Sequence, residues 1–141
     1  GYVEAHIGAG TAYYMLQNLD SSEFHLKQAI NYAPNDPNNY YSLGILYLNF
    51  KKYPGAITQF QIAIAKDKNY IKAYSGVAFA YYHSGHYAEA IDFFIKEAEL
   101  NPNEVKNVPF IANAYKYLGN MDMAIKYEAL ARQYFPDFKL E

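Results

Sequence analysis

The sequence predicts an all-α protein, a solenoid of four stacked helix-turn-helix units. Three observations carry that reading. Tyr13, Tyr47, Tyr81 and Tyr115 return at a strict spacing of 34 residues along the 141-residue chain. Small side chains keep the same register: Gly10, Gly44, Ala78 and Ala112 lie three residues before each tyrosine, and Ser22, Ala56, Ala90 and Ala124 lie nine after it. A period of this length marks a stacked array and not a domain built around one centre. Within each unit the apolar residues fall at helical spacing in two runs, as in Tyr40, Leu43, Gly44 and Tyr47, then Ala56, Ile57, Phe60, Ala63 and Ile64. Two amphipathic segments of about 13 residues with a short joint form a helical hairpin. One hairpin cannot cover its own apolar face, so stacking is obligatory. The small residues let the paired helices approach, and the tyrosines and phenylalanines are expected to fill the space between neighbouring hairpins.

The units are read as 3–36, 37–70, 71–104 and 105–138, forming one array over 3–138 with a short tail at 139–141. In the first, helices are expected at about 3–17 and 21–33, with Asp20 and Glu23 as a capping-box variant for the second. In the next, Asp36 reads as the N-cap and Pro37 as the first turn of a helix over 37–50, followed by 53–66. The third places helices at 71–83 and 87–100, with Gly85 as a left-handed residue at the joint. The fourth places them at 107–118 and 121–134, with Gly119 in the matching role. Pro109 would clash inside a helix, so this helix starts late, with Asn107 as cap and Val108-Pro109 in the first turn. Asn103–Asn107 is then a longer loop at one end of the array. Pro102 and Pro136 follow helix ends, where proline cannot continue the hydrogen-bond ladder.

Further slots recur: Ala9, Leu43, Val77 and Ile111; Leu26, Phe60 and Phe94; Ala29 and Ala63; and Pro34, Pro102 and Pro136. Together with the tyrosine register these resemble the tetratricopeptide repeat over about residues 3–138. The resemblance implies a right-handed superhelix whose first helices line a concave groove while the second helices face outward. Two residues depart from the pattern. Glu97 stands where Ala29 and Ala63 stand, and is expected to turn outward while Ala98 packs, or to pair with Lys126. Glu128 stands where the phenylalanines stand, and a charge there suits a solvated open end. Phe135, Phe138 and Leu140 make no further helix, so they either fold back as a lid or leave the end to another copy or repeat.

The groove candidates follow from the resemblance as first-helix residues not assigned to packing. The first unit contributes Tyr14, beside Thr11 and Ile7, and the second Asn38, Tyr41, Ile45 and Asn49, beside Ser42. The third contributes Lys72, Phe79, Tyr82 and His83, beside Ser75 and Gly76. The fourth adds Lys106, Asn113, Lys116 and Tyr117, beside Phe110. This set holds three lysines against Glu4, whereas the second helices hold most of the acids, among them Glu23, Glu89, Asp92, Glu97 and Glu99. A mildly basic groove rich in tyrosine and asparagine suits an extended protein or peptide segment with acidic or aromatic character. Ordering a flexible peptide opposes binding, so affinity on the order of micromolar is expected. Chaperone-binding repeats of this family use a two-carboxylate clamp, whose positions here are Ile7, Thr11, Ser42, Lys72 and Gly76. Only Lys72 fits, so the acidic tails of the major chaperones are not expected as ligands.

Composition narrows the remaining classes. A net charge of −2 offers no bulk attraction for nucleic acid. No apolar run approaches the length of a membrane span, so no membrane insertion is expected. The chain has no cysteine, hence no disulfide or thiol chemistry, which leaves both cytoplasm and periplasm as compartments. It begins Gly1-Tyr2 without methionine, as expected of a processed or shortened chain that belonged to a larger protein. His83 and His86, with Glu89 nearby, have a spacing that could touch a metal, but lack further ligands; the ordinary role of a helix-end histidine is expected instead, and no cofactor. His6 occupies a slot held by Tyr40 and Tyr74 in other units and is expected to pack. No phosphate loop or hydrolase elbow is present, so an enzyme is not expected. Three roles remain: an interaction module that holds a partner segment in its groove, a scaffold that self-associates through its terminal repeats and convex face, or a regulatory region of a larger protein, such as an envelope-assembly lipoprotein or an enzyme's adaptor region.

Overall fold

The computed structural model describes residues 1–103 and 105–140. Among the described residues eight helices run in order: α1 (Tyr2–Met15), α2 (Leu19–Tyr32), α3 (Pro37–Asn49), α4 (Tyr53–Lys66), α5 (Ile71–His83), α6 (Tyr87–Leu100), α7 (Val108–Tyr117) and α8 (Met121–Tyr134). They pair as four hairpins, α1 with α2 through α7 with α8. Each hairpin is joined to the next by its second helix packing on the following first helix. The first helices also touch in series, α1 on α3, α3 on α5, and α5 on α7 through Phe79 and Tyr82 against Phe110, and so form a continuous inner layer. The result is the α-solenoid that the 34-residue period predicts.

The four hairpin joints share one geometry. The carbonyl of each register tyrosine accepts from the amide five residues on: the Asn18 amide donates to Tyr13 at 2.9 Å, Lys52 to Tyr47 at 2.8 Å, His86 to Tyr81 at 2.9 Å and Asn120 to Tyr115 at 2.9 Å. This is the Schellman closure, which requires a left-handed residue just before the donor. Gly85 (φ 83°) and Gly119 (φ 76°) supply it as expected, but Gln17 and Lys51, both at φ 57°, supply it in the first two joints. Asp36 caps α3 by accepting from the Asn38 amide at 2.9 Å, with Pro37 in the first turn. The α7 helix starts at Val108 after Asn107, as Pro109 requires. Glu104, within the expected 103–107 loop, and Glu141, in the expected tail, lie outside the described residues.

Three expectations are corrected. Helix α2 starts at Leu19 and is capped by Asn18, which accepts from the Ser21 amide at 3.1 Å. The Asp20–Glu23 capping box does not form; Glu23 pairs with Lys27 one turn on. The register tyrosines fill gaps between hairpins only in part: Tyr47 and Tyr81 pack on the core that hairpins two and three share, but Tyr13 stacks on His25, Tyr81 also leans on Phe93 and Tyr115 stacks on Tyr127, all three contacts within one hairpin. The fully buried ring between hairpins two and three is Phe60, which is 0% exposed. Its ring lies between Gly44 and Gly76, where an added Cβ would approach it to 2.6 and 2.7 Å. The third correction concerns Glu97, which neither turns outward nor reaches Lys126. It is 2% exposed and accepts from Ser75 Oγ and Asn107 Nδ2, tying α5, α6 and the start of α7 together. Both carboxylate oxygens therefore have donors, which is what makes a carboxyl tolerable in an alanine slot. Glu128, at the open end, pairs with Arg132 at 2.7 Å. The chain after α8 turns back, with Arg132 Nε donating to the Phe138 carbonyl at 3.0 Å.

Candidate functional site

Among the described residues, openings lie at two places along the inner layer of first helices. The first lies where α1, α2 and α3 meet, a cavity of about 240 Å³ lined by Gly10, Thr11, Tyr14, Ser22, Leu26, Tyr41, Ser42, Ile45 and Leu46. Its serine and threonine hydroxyls are spent on helix carbonyls. Thr11 donates to the Ile7 carbonyl at 2.9 Å, Ser22 to Gly10 at 2.7 Å and Ser42 to Asn38 at 2.8 Å. The wall they leave is apolar, and none of its side chains is charged. The second opening, of about 260 Å³, is lined by Leu48, Asn49, Lys51, Tyr53, Phe79 and His83.

The candidates named from sequence divide among these places. Tyr14, Tyr41 and Ile45 line the first opening, and Asn49, Phe79 and His83 the second. Tyr82 and Tyr117 belong to an aromatic cluster with Tyr87 and Phe110; Tyr87 and Tyr117 stack at 4.7 Å. Asn38 is held at the rim, accepting from Tyr70 Oη at 2.7 Å and donating to Asp36. Lys72 and Lys106 are exposed, and Lys116 is half-buried. Asn113 is 4% exposed, part of the packing and not an open groove residue. Gly76 is likewise consumed by packing against Phe60, and Ser75 by Glu97.

Electrostatics is mild on this face. Burial pushes the Tyr41 hydroxyl up, and the Lys106 charge, acting on it from the loop before α7, partly opposes the shift. The Tyr70 hydroxyl is also raised, chiefly by burial and then by its neighbour Tyr41. The histidines serve local contacts: His83 stacks on Phe79, His86 Nδ1 lies 3.0 Å from Ser84 Oγ, and His6 Nδ1 lies 3.0 Å from His25 Nδ1.

Sequence reasoning missed the residues that second helices and joints contribute: Ser22 and Leu26 in the first opening, Lys51 and Tyr53 in the second. One signal was available for the first, since Leu26 holds a slot that is phenylalanine at positions 60 and 94. A third opening, away from the candidates, lies among Tyr53, Pro54, Ile57, Tyr81, Ser84 and His86. Among the described residues no helix is long and apolar enough to cross a membrane.

Four hairpins with this joint geometry and a continuous first-helix face define a tetratricopeptide-repeat array, a protein-interaction module. Solved structures agree. A crystal structure of MamA superposes with a TM-score of 0.85 at 25% identity, covering 95% of this chain and 78% of that one. The first repeat domain of Spaghetti (RPAP3), bound to the HSP90 peptide SRMEEVD, superposes with a TM-score of 0.76 at 20% identity over 83% of this chain and 93% of that one, a likeness of fold. Superkiller protein 3 of Schizosaccharomyces pombe is 36% identical over 84 residues, which is 60% of this chain but only 6% of that protein's length. The chain belongs to the family described as Regulator of microtubule dynamics protein 1-3, whose match spans residues 15–139.

Proposed function

We propose that this array holds an extended segment of a partner protein along its inner face. The observation that carries the reading is the pair of openings on that face, which together take in the groove candidates Tyr14, Tyr41, Ile45, Asn49, Phe79 and His83. The exposed ammonium of Lys72, with Lys106 at the loop before α7, favours an acidic segment. The family description directs the search for that partner to the regulation of microtubule dynamics. Of the chaperone-clamp positions only Lys72 is present, so the peptide seen on the Spaghetti repeat domain is not the expected ligand here.

Capture from a lysate of the source organism tests this, with the wild type beside Lys72→Glu and beside Asp92→Lys on outward-facing α6. A partner lost with Lys72→Glu but kept with Asp92→Lys supports inner-face binding. Equal capture by all three places the contact elsewhere.

One set of observations favours a second reading, self-association through the ends. The first hairpin exposes Leu16 (74%), Phe24 (57%) and Tyr32 (55%), and the last exposes Met121 (46%), Ile125 (56%) and Tyr134 (52%). Apolar terminal faces of a solenoid are covered by capping elements or by another array. Sedimentation mass that grows with concentration, and stops growing in Ile125→Glu, is the result this reading requires.

A further inference from the structure

The repeat register shows what the opening between α1, α2 and α3 lacks. Two repeats further along, Phe110 holds the position of Ser42. Its ring sits 4.9 Å from Phe79, 5.5 Å from Tyr82 and 6.1 Å from Phe94. Those three stand in register with Thr11, Tyr14 and Leu26, which line the opening. At the middle junction the same volume is taken by Phe60, wedged between Gly44 and Gly76. So two of the three junctions hold an aromatic ring from the chain itself. The first holds Leu26 and Ser42 instead and keeps a cavity of about 240 Å³. A dry cavity of about 150 Å³ lined by apolar side chains already suffices to bind benzene.

We propose that this cavity is an anchor pocket for one aromatic side chain, presented by an acidic extended segment of a partner protein. The inference rests on the inner-face reading above and adds to it a single specificity-determining place. An aromatic occupant suits the wall, because Thr11, Ser22 and Ser42 spend their hydroxyl donors on helix carbonyls. No lining side chain is charged, so a charged anchor would enter without a counter-charge. Acidic flanks suit the charges beyond the pocket: that of Lys106 acts on the lining residue Tyr41, and Lys72 is exposed on α5. Tyr41 of the pocket wall lies 5.6 Å from the Phe60 ring of the middle junction, so an aromatic occupant would extend the packing that Phe60 and Phe110 complete elsewhere.

The probes are two capped pentapeptides, acetyl-Glu-Glu-Phe-Glu-Glu-amide and its alanine counterpart, titrated into the whole chain and followed by amide NMR shifts. The phenylalanine peptide should bind at least about tenfold more tightly, since it alone buries a ring. Its shifts should centre on Thr11, Ser42 and Leu46. Ser42→Phe, which restores the residue type of position 110, should abolish that preference while keeping helical content and melting. Thr11→Phe, at an exposed position and matching Phe79, is a second filling variant should the first disturb folding. Equal affinity of the two peptides with shifts along Lys72 would overturn the pocket and leave inner-face binding standing. Unchanged preference in both filled variants would overturn it as well. Absence of binding by either peptide would also overturn the pocket, and the capture experiment with Lys72→Glu then judges the inner face separately.

Discussion

Phe60 is the side chain on which the middle of the array depends most, and its environment can be tested as a coupled pair. The ring is fully buried, and an added Cβ at Gly76 would lie 2.7 Å from its Cε1 and Cζ. It cannot retreat, because a Cβ at Gly44 on the other side would already lie 2.6 Å from Cδ1. Gly76→Ala therefore overpacks the junction, at about 1–3 kcal/mol. The same change gains about 1 kcal/mol from the helix preference of alanine in the interior of α5. The net expected effect is a loss of roughly 0–2 kcal/mol. Phe60→Leu alone costs about 1–2 kcal/mol, being a milder truncation than removal of the whole ring. In that background the clash is gone, and Gly76→Ala should stabilise by about 1 kcal/mol. The coupling between the two substitutions should then equal the overpacking energy, about 1–3 kcal/mol. Urea unfolding of the four chains measures it, with melting shifts of roughly 4 °C per kcal/mol as a check. A coupling below about 0.5 kcal/mol would mean that the ring is not wedged between the two glycines, and the account of the junction would fall with it.

Other outcomes follow from the same geometry. Gln17→Gly and Lys51→Gly should each stabilise by about 1 kcal/mol in denaturant titration, because both residues hold left-handed backbone that glycine adopts without strain. Glu97→Ala restores the residue type of the other repeats yet should destabilise by about 1–3 kcal/mol, because Ser75 and Asn107 lose their acceptor; a gain in stability would refute the network. The Tyr47 hydroxyl is pushed up to about 12 by burial first and then by its bond to Glu23. Its folded pKa is raised, so the native state keeps a proton that the unfolded state loses above about pH 10. Stability should be level below that pH and fall between about 10 and 12, and Tyr47→Phe should flatten part of the fall in pH-dependent melting. Lys72→Glu should leave melting within about 0.5 kcal/mol, being an exposed substitution. Tyr82→Ala should not be so mild: Tyr82 contacts Tyr87, Phe110 and Tyr117, so a stability loss of about 2 kcal/mol or more would accompany any loss of binding.

Much of this molecule is legible in one sequence because a solenoid is held by contacts between near neighbours. The 34-residue register located the hairpins, Pro109 set the late start of α7, and Gly85 and Gly119 marked two joints, all from local backbone rules. The other two joints were hidden, because nothing about Gln17 or Lys51 announces a left-handed residue; the Schellman closure of the surrounding turn imposes it. The same holds for Glu97. Its position in an alanine slot was readable, but its burial depends on Asn107 arriving from the next hairpin, a distance of ten residues that no periodicity encodes. The inner face shows the divide most clearly. Its membership followed from helix order and the resemblance, but which members stay open was decided by ring placement in three dimensions. Phe60 takes up Gly76, packing takes in Asn113, and Leu26 with Ser42 leaves a cavity where the other junctions are full. Sequence alone determined the array, since periodic local burial specifies it; tertiary packing decided where the array has room for something else.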